Sequence, residues 1–271
     1  MKKFVFELKK NPEIYIGMII SGLVVAVLLG GMLLSPYSPD AMDASSKFAK
    51  ASGSHILGCD NFGRDIFTRL CLGGATTLLV AFLTVTIGVV FGVIIGALTG
   101  YYGGAVDEVI MRFNDAVLAF PSILLALVFI SVFGSGTFKV VGALGIVFIP
   151  SFARIVRAEF MRCKNLDYVR SARLMGASDL RIMFVHILPN IVPVLLSSTV
   201  IGFNNAVLAE ASMSYLGIGV QPPQSSLGRM LSDAQAFLFS NPTYALAPGI
   251  TIAFIVLGFS LLGDGLKKRN Q

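Results

Sequence analysis

The stretch DYVRSARLMGASDLRIMFVHILP, residues 167–189, is the long polar segment in the second half of an otherwise apolar chain. Before Gly176, Val169, Ala172 and Met175 recur every third residue while Arg170 and Arg173 turn to another face, which predicts a short amphipathic helix. Gly176 permits a sharp reversal that residues with a Cβ resist, and Ser178 or Asp179 supplies an oxygen to cap a second helix. Pro189 is expected to open the next apolar run. Two short helices hinged at a glycine and held between membrane spans make a rigid knob outside the bilayer. Such a knob suits the reception of force from a soluble partner.

Composition sets the class. Of 271 residues, 55% are hydrophobic and only 13% charged, about half the charged fraction of an ordinary soluble domain, and the mean hydropathy is +0.80. The chain is an integral membrane protein whose solvent is the lipid bilayer. Its net charge of +6 is spread over membrane flanks rather than gathered in one patch, which excludes nucleic acid as a partner. Three cysteines (Cys59, Cys71, Cys163) and two histidines (His55, His186) are too scattered to form a metal cage.

Six apolar runs are long enough to span. The first, Ile14–Leu34, follows a basic arm bearing Lys2, Lys3, Lys9 and Lys10, and no small-x-small cleavage site follows Leu34, so it reads as an uncleaved span. A polar excursion then places Phe62, Ile66 and Leu70 on one stripe opposite Arg64, Asp65 and Thr68, predicting an amphipathic helix along the outer membrane surface. Cys59, Asp60 and Asp65 there read as a helix cap with an ion pair rather than a metal site. The second span is Thr76–Thr99, where Gly88, Gly92, Gly96 and Gly100 recur every fourth residue as a packing seam, within the chain or against a partner. A third segment runs from Asp107 through Pro121 to Phe133. Asp115 lies deepest in it and is a candidate for a polar pathway. The fourth span is Val140–Ala153, with Pro150 near its inner end. The fifth is Ile187–Leu208, interrupted by Pro193 and by Asn204 and Asn205, and the sixth is Leu246–Leu262. An amphipathic piece is expected around 227–237.

Charge orients the spans. Six spans put both termini on one side with Arg112 and the basic elbow. That side holds most of the 21 Lys and Arg residues, leaving Lys47, Lys50, Arg64, Arg69, Lys139 and Arg229 on the other. The positive-inside rule makes the richer side cytoplasmic, which puts Cys163 and Cys59 on opposite sides of the membrane.

The elbow resembles the EAA loop of bacterial ABC importer permeases, in which a Glu-Ala-Ala triplet precedes the glycine and Leu-Pro follows. Here the triplet is Arg170, Ser171, Ala172, followed by Gly176, Leu188 and Pro189; the glutamate is missing, which puts any role of that carboxylate in doubt. HILGCDNFGRD, with His55, Leu57, Gly58, Asp60, Gly63, Arg64 and Asp65, is similar to a hallmark of the second permease of dipeptide, oligopeptide and nickel importers, with Cys59 where Thr is usual. The segment YYGGAVDEVIMRFNDAVLAFPSILLAL, the run from Glu210 through Leu216, Gly217 and Gly219 to Pro222 and Pro223, and LLGDGL at 261–266 resemble the same family in the same order.

The resemblance implies an all-α permease with a type I (MetI-like) fold. Residues 1–74 carry the arm, first span and external segment, and residues 75–271 form a core of five spans with the coupling loop at 158–189. It implies ATPase coupling through Tyr168, Arg170, Ser171, Ala172, Gly176, Ala177, Leu188 and Pro189. Pathway or gate candidates are Asp115, Asn204, Asn205 and Glu210, the last either receiving a peptide ammonium or holding the outer gate. The implied complex contains this chain in a bacterial inner membrane, a second homologous permease, two cytoplasmic ATP-binding subunits that carry ATP and magnesium, and an external substrate-binding protein. Peptides are the expected cargo, with nickel or a metal chelate as the alternative. No G-x-x-x-x-G-K-[ST] phosphate loop and no Ser-His-Asp or Cys-His constellation is apparent, so the chain is expected to be non-catalytic and to bind no cofactor itself. A proton-driven secondary transporter, one rival class, would need intramembrane carboxylates and an internal repeat; the sequence has few such carboxylates and no clear repeat.

Overall fold

A computed structural model describes residues 11–269; the lysines of the N-terminal arm lie outside them. The described residues form helices and turns, with one isolated backbone bridge between Cys59 and Asp65. In chain order the helices are α1 (Pro12–Leu34), α2 (Ile66–Tyr102), α3 (Gly104–Leu118), α4 (Ser122–Phe133), α5 (Thr137–Cys163), α6 (Asp167–Leu174), α7 (Asp179–Tyr215), α8 (Leu227–Ala234) and α9 (Pro242–Arg269). Five are long and apolar enough to cross a bilayer, and α3 and α4 together reach that length but are bent by 91° at their break, as in a broken span or a re-entrant loop. A helix suits these segments because it satisfies its own backbone hydrogen bonds where no water is present.

The expected third span is therefore two helices. Pro121 has no N–H to continue α3 and biases Phe120 away from helical geometry, so the chain turns there and restarts at Ser122. The expected interfacial helix at Phe62–Leu70 is also corrected. Phe62 sits in a turn, helix begins only at Ile66, and that helix is the N-terminal end of α2, which continues unbroken through position 74. Arg64, Asp65 and Thr68, expected on a solvated face, are buried. Local hydrogen bonds decide this. Asp60 Oδ1 accepts from the Phe62 and Arg64 amides while Oδ2 takes Arg64 Nε at 2.7 Å. Asp65 then caps α2 by accepting from the Thr68 amide at 2.7 Å. Gly63 has φ +75°, and a Cβ there would run into the Asp43 backbone.

Proline interrupts less than its sequence position implies. Pro150, Pro193 and Pro248 lie inside continuous helices α5, α7 and α9. Pro189 stands at the start of the apolar run as expected, in the first turn after Leu188, but the chain stays helical across it. The second arm of the elbow and the expected fifth span are one 37-residue helix, α7. Its wider π-type turn over Ile182–Ile187, with the Leu188 amide donating to Met183 O, lies immediately before Pro189. That widening makes room for a ring that would otherwise clash with the carbonyl one turn earlier.

The glycine seam lies within the chain. Gly88, Gly92, Gly96 and Gly100 face α5; a Cβ on Gly92 would come within 2.5 Å of Phe152 Cβ, and one on Gly96 within 2.5 Å of Ala153 O. Backbone-to-backbone proximity of this kind is how membrane helices gain dispersion energy without a hydrophobic driving force. On the other flank α9 packs on α1, and Lys268 Nζ meets Glu13 at 2.5 Å, so the two described ends lie together. Cys59, Cys71 and Cys163 are separate, buried free thiols.

Gly96→Val should overpack the α2–α5 seam by about 1–3 kcal/mol. A lowered thermal midpoint of the purified protein in detergent is the expected readout, whereas the same change at Gly22, where nothing lies within 4 Å of an added Cβ, should leave it unmoved.

Candidate functional site

Along α5 and α7 runs a groove in two adjoining sections of about 470 and 580 Å³, joined through Ile155, Ser198 and Ile201, which line both. The first section is walled by Phe148, Phe152 and Leu208 and carries only neutral polar groups, among them Ser151, Asn205 and Ser212. The second opens among Glu159, Arg162 and Lys267. Ser198, Asn205 and Ser212 follow one another at seven-residue spacing on α7, which places them on one face. That spacing is visible in the sequence once α7 is known to be unbroken. The Ser198 and Ser212 hydroxyls donate to the carbonyls four residues earlier at 3.0 and 2.7 Å, leaving their oxygens as acceptors toward the groove.

The pathway candidates separate. Asn205 lines the groove. Asn204 does not line it, and its Oδ1 is buried without a hydrogen-bond partner. Asp115 is ion-paired with Arg154 at 2.6 Å, each side chain more than half exposed. With Asp107, which takes both Nε and Nη2 of Arg157 at 2.5 and 2.6 Å, it ties α3 to α5. Glu210 is fully buried and away from the groove: Thr77 Oγ1 donates to it from α2 at 2.8 Å and Ser214 Oγ at 2.6 Å. Leu227 N–H, at the start of α8, donates to that same Thr77 oxygen at 3.1 Å. Both carboxylate oxygens are thus occupied by donors from α2 and from α7 itself.

Just before α2, His55 Nδ1 lies 2.9 Å from Asp65 Oδ1, and Tyr37 stacks on the imidazole at 4.7 Å. This His-Asp contact was not anticipated from the sequence, where ten residues separate the pair. It tightens the α2 cap. Among the described residues no group of three His, Cys, Asp or Glu side chains is placed to hold a metal ion. Gly58 and Gly63 shape the same turn, both at positive φ.

The elbow is built as expected in outline. α6 ends at Leu174, Gly176 takes φ +82° with open space around it, and Ser178 caps α7 by accepting from the Arg181 amide. Val169 and Ala172 are buried against Phe160, Cys163, Ile182, Met183 and Ile187. Met175, expected on that inner face, is instead 79% exposed beside Leu174 at 89%, because the chain leaves helical geometry there. Tyr168, Arg170, Ser171 and Pro189 are exposed, and Ala177 and Leu188 half-buried. The Tyr101 hydroxyl, bonded to Arg173, raises that guanidinium above its ordinary range.

Residues 88–270 match the family described as binding-protein-dependent transport system inner membrane component. The chain belongs to that family. The permease is 38% identical over 262 residues to the dipeptide transport system permease protein DppC of Alkalihalophilus pseudofirmus, covering 96% of this chain and 86% of the relative. It is 40% identical over 250 residues to the glutathione transport system permease protein GsiD of Pectobacterium atrosepticum, covering 90% and 82%. Among solved structures, the MetNI methionine ABC transporter in inward facing conformations aligns with a TM-score of 0.62 at 19% identity, over 75% of this chain and 96% of that one. The fold is therefore that of a MetI-like ABC transporter permease, and the relatives are transport subunits.

Glu210→Ala should leave the Thr77 and Ser214 hydroxyl protons without an acceptor in the interior, costing about 1–3 kcal/mol. A fall in thermal midpoint is expected for the alanine variant, and a smaller one for Glu210→Gln, which keeps an acceptor.

Proposed function

We propose that the permease forms one half of a path for short peptides across a bacterial inner membrane, driven by ATP that separate subunits bind with magnesium and hydrolyse. The observation that carries the cargo is the kinship over nine-tenths of the chain with relatives named for dipeptide and glutathione transport. The groove agrees chemically. A carrier of peptides with varied side chains needs groups that solvate amides without selecting one side chain, and Ser151, Ser198, Asn205 and Ser212 are neutral hydroxyls and an amide. A second, homologous permease would close the groove from its open side, and an external binding protein would deliver cargo to it.

The elbow is assigned to coupling. Its tip presents Leu174, Met175 and Leu180 to solvent, an apolar cluster suited to a cleft on an ATPase subunit. Its base is fixed in the core through Val169, Ala172 and Ile182. When two ATPases close on ATP, each would carry its elbow inward, and α7 and α5 would move as rigid rods around the groove. Arg154, Arg157, Arg162, Arg170, Arg173 and Arg181 around the elbow support a cytoplasmic placement of that end. The Glu13–Lys268 contact supports placing both termini there too. Asp115 with Arg154 then sits on the cytoplasmic half of the span and would steady α3 during the stroke.

Two measurements test this. In a strain lacking the permease, uptake of radiolabelled di- and tripeptides should fall and return with the intact gene; loss of nickel uptake alone would move the cargo to metal. In the complete complex, Gly176→Leu should abolish uptake while membrane insertion stays normal, since a side chain at φ +82° strains the hinge; normal uptake by that variant would sink the coupling assignment.

A further inference from the structure

The inner end of α2 reaches the elbow through one hydroxyl. Tyr101, in the last turn of α2, is 7% exposed and packs with Val156, Phe160, Val169 and Ala172. Its oxygen donates to Asp179 Oδ1 at 2.6 Å and accepts from Arg173 Nη2 at 3.0 Å. Arg173 belongs to the arm before Gly176 and Asp179 to the arm after it. A single oxygen therefore holds both arms of the hinge, and holds them to a helix that contributes nothing to the elbow's own sequence. The Arg173 guanidinium also lies over the Tyr101 ring at 5.8 Å. Lys164 Nζ donates to Gly100 O at 2.9 Å and to Tyr101 O at 3.3 Å, fixing the same turn from the α5 side.

Gly100, immediately before Tyr101, is the last glycine of the α2–α5 seam; a Cβ there would fall 2.7 Å from Arg157 O and from Phe160 Cβ. The bond network thus meets the seam one residue away. A push on the elbow tip can enter the membrane by two routes: directly along α7, of which Asp179 is the first residue, and sideways into α2 through the tyrosine oxygen. With both, α2 and α5 travel with α7 as one block. With only the first, α7 moves against them and the groove walls lose register.

We infer that Tyr101 is a positioning residue for coupling, whose hydroxyl locks both elbow arms to α2 so that one stroke moves α2, α5 and α7 together. This rests on the coupling assignment of the elbow. Apolar burial of Val169, Ala172, Ile182, Met183 and Ile187 holds the elbow folded without that hydroxyl, so its removal should affect transmission more than assembly. A structural role alone would lower assembly or thermal midpoint and leave transport per ATP untouched.

The test uses the complete transporter, purified through a tag on this chain and reconstituted in liposomes with its binding protein and a radiolabelled dipeptide. The quantity read is peptide moved per ATP hydrolysed. Tyr101→Phe should keep ATPase subunits bound and ATP hydrolysis in progress, yet lower that ratio roughly tenfold, the equivalent of one charge-assisted hydrogen bond. Asp179→Ala should lower it comparably, and the double variant should fall little further, because both changes break one link. An unchanged ratio in Tyr101→Phe overturns the inference, as does an uptake loss explained wholly by lost ATPase subunits. Gly176→Leu in the same assay separates the two levels. If it transports normally, the coupling assignment itself fails and the inference with it. If it is dead while Tyr101→Phe keeps the wild-type ratio, only the role of Tyr101 is lost.

Discussion

The near contact of α2 and α5 backbones along Gly88, Gly92, Gly96 and Gly100 is the constraint on which the rest of the structure depends. In lipid, apolar side chains gain nothing by leaving their solvent for each other, so two helices stay together only if they fit closely or share hydrogen bonds. Four missing side chains give that fit. They set how deeply Phe152 and Phe160 sit between the helices, and Phe152 in turn forms a wall of the groove. They also fix the inner end of α2 beside α5, where Tyr101 meets the elbow. Groove, core and elbow therefore share one frame.

Polar groups inside this frame are handled locally. Asp60, Asp65 and Glu210 are buried acids, and each is surrounded by donors within a few residues or on the facing helix. Burying a carboxylate without such donors would cost several kcal/mol or more. The groove differs in kind. The Ser198 and Ser212 hydroxyls are bonded to their own helix and turn spare acceptors outward, so the wall is polar enough to wet and carries no fixed charge until the Glu159, Arg162 and Lys267 end.

Much of this was legible in the sequence because lipid enforces simple rules. Length and hydropathy found the spans, the four-residue glycine spacing found a packing face, and Gly176 with Ser178 marked the hinge and its cap. The failures also have physical reasons. Periodicity around Ile66 and Leu70 correctly indicated helix, but one that tertiary packing buried as part of α2. Pro193 looked like an interruption and Pro150 and Pro189 lay near the ends of expected spans, yet in a bundle neighbouring helices and a π-type turn absorb them, so α5 and α7 run longer than their apolar cores. Pairings such as Tyr101 with Asp179, Thr77 with Glu210 and Asp115 with Arg154 join positions far apart in the chain, and no local pattern announces them.

The continuity of α7 has a mechanical meaning. At about 1.5 Å rise per residue, 37 residues make a lever arm of roughly 55 Å, with its handle at the elbow and its tip at Tyr215. A tilt of about 5° applied at the handle would sweep that tip through roughly 5 Å, one helical pitch. Glu210 lies near the tip, tying it to Thr77. A second tie between α2 and α7 thus sits where the displacement of the rod is greatest, so the two helices are held in register at the far end as the Tyr101 hydroxyl holds them at the handle.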